Sequence, residues 1–119
     1  MTQLIACLST GKGSWAQLTK LINSQEWEKV FLITNAFGKE RYTPQKNTEL
    51  LAFDFNQTIE SLQKEIESAL KGKVTGFEVA INICSGTGKE HAALITAVQR
   101  LGVGMRFVDF ESDKLVQLI

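Results

Sequence analysis

Proline, histidine and cysteine are scarce in this sequence of 119 residues. It holds one proline, one histidine and two cysteines. Cys7 and Cys84 are far apart and form no C-x-x-C pair, so the sequence predicts neither a disulfide framework nor a structural zinc site. We expect both cysteines to be buried thiols that behave as small apolar residues.

Net charge and long apolar runs are missing as well. Thirteen basic residues balance thirteen acidic ones, so we expect no broad basic face for duplex DNA or for a membrane surface. No apolar run reaches the roughly 18–20 residues of a transmembrane helix, and residues 1–8 have no signal-peptide pattern. Length and composition therefore predict one cytoplasmic domain over residues 1–119.

Apolar runs alternate with helical patterns and glycine-rich turns along the chain. The predicted strands are 3–8, 29–34, 48–55, 77–84, 104–110 and 114–119; the predicted helices are 15–23, 56–71 and 88–101; residues 35–47 are predicted to form a loop. This alternation predicts a Rossmann-like, doubly wound α/β fold. We expect a mostly parallel sheet of five to six strands in the order 3-2-1-4-5, with the sixth strand antiparallel at an edge.

The stretch 77–101 carries the strongest functional signal. A buried strand leads into the turn Ser85-Gly86-Thr87-Gly88-Lys89, and a helical pattern follows at once. Unpaired N–H groups and the positive end of the dipole attract anions to such a helix start, and glycine allows close approach. Thr87 and Glu90 fit a capping box, which predicts that the helix begins at Gly88.

A second turn of this kind follows the first strand. Here Ser9-Thr10-Gly11-Lys12-Gly13 precedes a helix, and Ser14 with Gln17 fits another capping box. The first and fourth strands should be neighbours at the topological switch point, so both turns should open into one crevice. The predicted ligand-binding residues are Thr10, Gly11, Lys12, Gly13, Ser14, Ser85, Gly86, Thr87, Gly88 and Lys89.

Two side chains near the turns have two interpretations each. His91 lies one helical turn after Thr87 and could serve as a general acid or base, or simply be a packed or surface imidazole. Trp15 could stack on a base, but its place on the apolar stripe with Leu18 and Ile22 favours core packing.

Better-known nucleotide motifs do not fit. Residues 11–16 match G-x-G-x-x-A, but Asn35 stands where the fingerprint needs an acidic residue for the ribose. Residues 86–89 look like the end of a Walker A loop, yet Ile83 replaces its first glycine and Glu90 its Ser/Thr. We find no G-x-S-x-G, paired-carboxylate or metal-ligand pattern, so we predict neither a cofactor nor a metal.

The two turns resemble the CRISPR-associated Rossmann-fold (CARF) family. The resemblance rests on LIACLSTGKGSWAQL and AINICSGTGKEHAAL, which are similar to that family's two motifs. Many members have a tighter Gly-Gly-Thr-Lys turn, whereas here a serine comes first and a glycine precedes Lys89. The resemblance implies a homodimer that binds a cyclic oligoadenylate across its two-fold axis in antiviral signalling, with a separate effector protein as a further partner.

Some CARF proteins also cleave the ring without a metal. In such ring nucleases a ribose 2′-hydroxyl attacks the adjacent phosphate, and the protein positions the groups and stabilises charge. The resemblance matches Ser9 or Thr10 and Lys89 to the residues used for this, with His91 as a further candidate. We therefore expect a nucleotide-binding sensor first, a ring nuclease second, and a general nucleotide- or anion-binding subunit third.

Overall fold

A computed structural model describes residues 2–9 and 14–119 of the chain. The strands are β1 (Gln3–Cys7), β2 (Lys29–Thr34), β3 (Thr48–Ala52), β4 (Glu78–Asn82), β5 (Gly104–Glu111) and β6 (Lys114–Gln117). The described helices are α1 (Trp15–Asn23), α2 (Ala36–Arg41), α3 (Ile59–Leu70) and α4 (Gly88–Arg100). Within the described ranges, no helix is long and apolar enough to cross a membrane.

The strands form one sheet in the order β3-β2-β1-β4-β5-β6. The first five are parallel, and β6 pairs antiparallel with β5. This arrangement confirms the predicted Rossmann-like fold, its strand order and its edge hairpin. Because β1 lies between β2 and β4, the switch point falls where β1 and β4 end side by side.

Both faces of the sheet are covered, which explains why β1 and β2 are apolar at nearly every position. Ile5 and Cys7 point into one core layer with α3 and α4. Leu4, Ala6 and Leu8 point into the opposite layer with α1. Successive strand side chains alternate between faces, so one uninterrupted run supplies both layers.

The prediction of a loop over residues 35–47 is wrong, because α2 occupies Ala36–Arg41. The Asn35 side chain caps this helix by accepting a hydrogen bond from the Gly38 N–H at 3.0 Å. The largest shifts from the predicted bounds are at β3, which ends at Ala52, and at α3, which begins at Ile59. Thr58 caps α3 by accepting a hydrogen bond from the Ser61 N–H at 3.1 Å.

The two predicted capping boxes have different outcomes. At α4 the box of Thr87 and Glu90 is formed, and the helix begins at Gly88 as predicted. At α1 the box is wrong: Ser14 makes no side-chain capping bond. The Gln17 amide instead donates to Asp109 Oδ1 at 3.1 Å and so ties α1 to β5.

Candidate functional site at the ends of β1 and β4

Ser9 and Ser85 connect the two turns directly. Ser9 follows β1, Ser85 follows β4, and the Ser85 hydroxyl oxygen accepts a hydrogen bond from the Ser9 N–H at 2.8 Å. The Ser85 hydroxyl also donates to Ser9 Oγ at 3.1 Å. The structure thus brings these two predicted residues together at the switch point. The other predicted residues of the first turn, Thr10, Gly11, Lys12 and Gly13, lie outside the described residues.

Gly86 packs tightly against the end of β1. Its φ of +103° lies in the left-handed region that favours glycine. A Cβ at this position would lie 3.1 Å from His91 Nε2 and 3.3 Å from the Cys7 Cβ. The turn after β4 therefore needs glycine here for both its backbone conformation and its close approach.

His91 braces the same turn. Its Nε2 lies 2.8 Å from the Ser85 carbonyl oxygen, and since a carbonyl only accepts, Nε2 is the donor. The ring is half-buried. This contact gives His91 a positioning role in the turn, and its predicted role as a general acid or base stays a prediction.

Lys89 reaches from the first turn of α4 to the segment after β3. Its ammonium donates to the Phe55 carbonyl oxygen at 2.7 Å. None of the three ion pairs found within the described ranges includes Lys89. Its positive charge is therefore stabilised by a backbone dipole rather than by a carboxylate, and it can still attract an anion.

Glu90 brings a negative charge to the same helix start. Glu90 is 6% exposed, and its carboxylate accepts hydrogen bonds from the Thr87 N–H at 3.0 Å and from the Thr87 hydroxyl. A carboxylate at this place offsets part of the helix dipole. Thr87 is thus engaged as the cap of α4, while its predicted ligand contact remains a prediction.

The two cysteines are unreactive thiols. Burial, and then the nearby Glu90 carboxylate, raises the pKa of Cys7 to about 12. Burial and the Asp109 carboxylate raise the pKa of Cys84 to about 11. Because the thiolate is the nucleophilic form, neither residue is a nucleophile near neutral pH. Cys7 is buried, as predicted, whereas Cys84 is only half-buried.

A polar network at the ends of β4 and β5 was not predicted from the sequence. The buried Asn82 amide donates to the Val108 carbonyl oxygen at 2.9 Å and to Asp109 Oδ1 at 3.2 Å. Its own carbonyl accepts from the Cys84 N–H at 3.1 Å. The one signal for it was a single asparagine inside the apolar run of β4, since a buried amide must find hydrogen-bond partners.

Trp15 packs as predicted. It lies against the core layer that includes α1 and meets the Tyr42 ring edge-on, with 5.6 Å between ring centroids. Its indole N–H donates to the Ser9 carbonyl oxygen at 2.8 Å. The side chain therefore supports the residue that links the two turns.

No protein-family model matches the sequence, and a search of curated proteins finds no match either. Over residues 2–9 and 14–119, no group of three or more His, Cys, Asp or Glu side chains could hold a metal ion. The functional proposal consequently depends on the geometry at the ends of β1 and β4.

Proposed function

We propose that this chain is a nucleotide-binding sensor whose ligand lies at the ends of β1 and β4. The observation that carries the proposal is the pair of hydrogen bonds between Ser9 and Ser85, which joins the two predicted phosphate turns at the switch point. Ligands of open α/β sheets bind at this position. Glycine at position 86 allows a φ of +103° and close packing of the turn against Cys7 and His91, which fixes the shape of this end of the site.

The ligand that we propose is a cyclic oligoadenylate. Such a ring repeats a phosphodiester and an adenine, so it suits a site in which each of two neighbouring turns carries a lysine. The balanced charge of the chain fits a small anionic ligand better than a long polyanion. As the CARF resemblance implies, we propose that the ring is bound across a homodimer in the cytoplasm and signals to a separate effector in CRISPR-linked defence.

Binding without cleavage is the alternative that the side chains favour. The Lys89 ammonium and His91 Nε2, two of the candidate catalytic groups, each make a hydrogen bond to a backbone carbonyl. A ring nuclease would need such groups on the scissile phosphate and the attacking hydroxyl. The His91 contact would have to break before Nε2 could act, whereas the Lys89 ammonium keeps two further N–H donors for a phosphate.

The proposal is tested with cyclic tetra-adenylate in EDTA, with calorimetry for binding and chromatography for products. We expect tight binding, no product, and a ligand-bound dimer in sedimentation. Lys89→Ala should weaken binding about tenfold, as expected for loss of one charge-assisted contact. Lys64→Ala, which removes an exposed lysine from α3, should bind normally.

The other outcomes separate the alternatives. Metal-independent cleavage that disappears in Lys89→Ala would identify a ring nuclease. Thermal stabilisation by ATP or a dinucleotide, without any effect of the ring, would identify a general nucleotide-binding subunit. If neither the ring nor a mononucleotide binds, the proposal is wrong.

A further inference from the structure

A second crevice opens beside the site, at the carboxyl ends of β2 and β3. Its volume is about 570 Å³. Small-molecule sites in proteins commonly measure about 300–1,000 Å³, so a nucleobase with its ribose fits this space. The residues that define its chemistry are Asn35, Phe37, Phe53, Asp54, Phe55 and Glu65.

Charge argues against a phosphate in this crevice. The two ionisable residues in its lining, Asp54 and Glu65, are both acidic, and none of the described residues that line it is basic. Carboxylates only accept hydrogen bonds when ionised. The lining therefore suits an uncharged ring that donates through an amino group.

The aromatic residues suit a flat ring. Three phenylalanines, at positions 37, 53 and 55, line the crevice. Phe37 is held from two sides: the Trp15 ring lies 6.2 Å away between centroids, and the Arg41 guanidinium lies 5.1 Å from the centre of the Phe37 ring. The guanidinium covers one face of the ring, so a base would stack on the other face. Because the ring is already held, little side-chain freedom would be lost on binding.

Lys89 joins the crevice to the turn after β4. Its ammonium contacts the carbonyl oxygen of Phe55, a lining residue, while its backbone belongs to the first turn of α4. A positive charge thus stands between an acidic, aromatic crevice and a glycine-rich turn. A nucleotide could therefore place its base in the crevice and its phosphate at the turn, next to the Lys89 ammonium.

We propose that this crevice binds an amino-bearing purine base of the adenine type, whose phosphate lies at the turn formed by residues 85–89. The inference rests on the proposed function and adds a second contact region to it. Asp54 accepts from the amino group, Phe37 stacks on the ring, and Lys89 contacts the phosphate that follows.

Calorimetry on the full chain tests the base site with two probes, cyclic tetra-adenylate and its inosine counterpart, which has a ring carbonyl in place of the amino group. We expect the adenine ring to bind about tenfold tighter or more, as a lost hydrogen bond to a charged acceptor predicts. Phe37→Ala should weaken adenine binding by about ten- to a hundredfold through lost stacking. The matched control is Phe77→Ala, which makes the same change at a residue 95% exposed and outside the crevice.

Asp54→Asn serves as a second variant that does not alter the core. Asp54 is exposed, and its Oδ1 accepts from the Asn56 N–H at 2.9 Å, which an asparagine carbonyl can also do. The Asp54→Asn variant should bind the adenine and inosine rings with nearly equal affinity. Circular dichroism checks the fold of each variant, and if Phe37→Ala is unfolded, Asp54→Asn decides.

Two negative results have different meanings. If the protein binds both rings equally, and Phe37→Ala and Asp54→Asn change nothing, the base site is wrong while the proposed function stands. If the protein binds neither ring, the proposed function fails and the base site fails with it.

Discussion

Replacing Gly86 by alanine tests the geometry of the turn after β4. The backbone at Gly86 has φ +103°, where an L-residue is strained by about 1–2 kcal/mol. The new Cβ would also lie 3.1 Å from His91 Nε2 and 3.3 Å from the Cys7 Cβ. Overpacking of this kind costs about 1–2 kcal/mol further, because the buried end of β1 cannot easily move.

One effect of the substitution raises the free energy of unfolding instead. Alanine restricts the unfolded chain more than glycine does, which stabilises the folded state by about 0.4–1 kcal/mol. The expected net loss in the free energy of unfolding is therefore about 1–3.5 kcal/mol. For a domain of this size, that corresponds to a fall in Tm of about 4–14 °C.

Two other glycines separate strain from contact. Gly102 has φ +81°, but a Cβ added there would meet no described neighbour within 4 Å, so Gly102→Ala should show the backbone strain alone. Gly88 has neither a positive φ nor such a neighbour within 4 Å, so Gly88→Ala should raise the free energy of unfolding by about 0.4–1 kcal/mol. Urea denaturation followed by circular dichroism gives the three free energies of unfolding.

The order of the three free energies of unfolding tests the packing of this turn. Gly86→Ala should be the least stable of the three, and the difference from Gly102→Ala measures the contacts with Cys7 and His91. Equal losses in Gly86→Ala and Gly88→Ala would refute the close packing of this turn on β1.

Three further predictions concern the polar groups at this end of the sheet. Ser85→Ala removes the acceptor of the Ser9 N–H at 2.8 Å and should lower the free energy of unfolding by about 1–2 kcal/mol in urea titrations, whereas Ser85→Thr, which keeps a hydroxyl, should lose less. Asn82→Asp puts a carboxylate against Asp109 Oδ1, which lies 3.2 Å from the present amide nitrogen. The repulsion should raise the pKa of the new carboxyl group in the folded state, so the variant should gain stability as pH falls from 7 to 5. A stability that does not change with pH over this range would contradict this. Burial raises the pKa of Cys7 from an ordinary 9.0 to about 12, so its contribution to stability should be complete below pH 9 and be lost as pH rises from 9 towards 12. Cys7→Ala should lose less stability over this range. If the urea midpoint falls equally with pH in the wild-type protein and in Cys7→Ala, this prediction is wrong.

The sheet was predictable because its signals are local. Each of the parallel strands β1, β2 and β4 is a short apolar run, and the rule for crossovers then fixes their order. The start of α4 was equally local, since Thr87 and Glu90 are three residues apart. At these strands and at this helix start, the observed bounds lie within two residues of the predicted ones.

Contacts between distant residues were not predictable in the same way. The α2 helix is only six residues long and half of its residues are charged, so it is too short to show a helical periodicity. Gln17 fits a capping box by spacing, but its amide bonds Asp109, 92 residues away. The link between the crevice and the turn after β4 is likewise a contact of Lys89 with Phe55, 34 residues away. Propensity does not specify such partners, which tertiary packing chooses.

Glu90 changes what the second turn can offer to an anion. The sequence suggested that the N-terminus of α4 itself would be the attraction, but the buried Glu90 carboxylate already accepts the Thr87 N–H at 3.0 Å. A phosphate near this carboxylate meets both the positive helix end and a negative charge, and the two partly cancel. In the proposed function, the positive charge of Lys89 must therefore outweigh Glu90, while the Ser9–Ser85 pair fixes the shape of the turn rather than its charge. This is why the lysine, and not the helix dipole, should determine the affinity of the site.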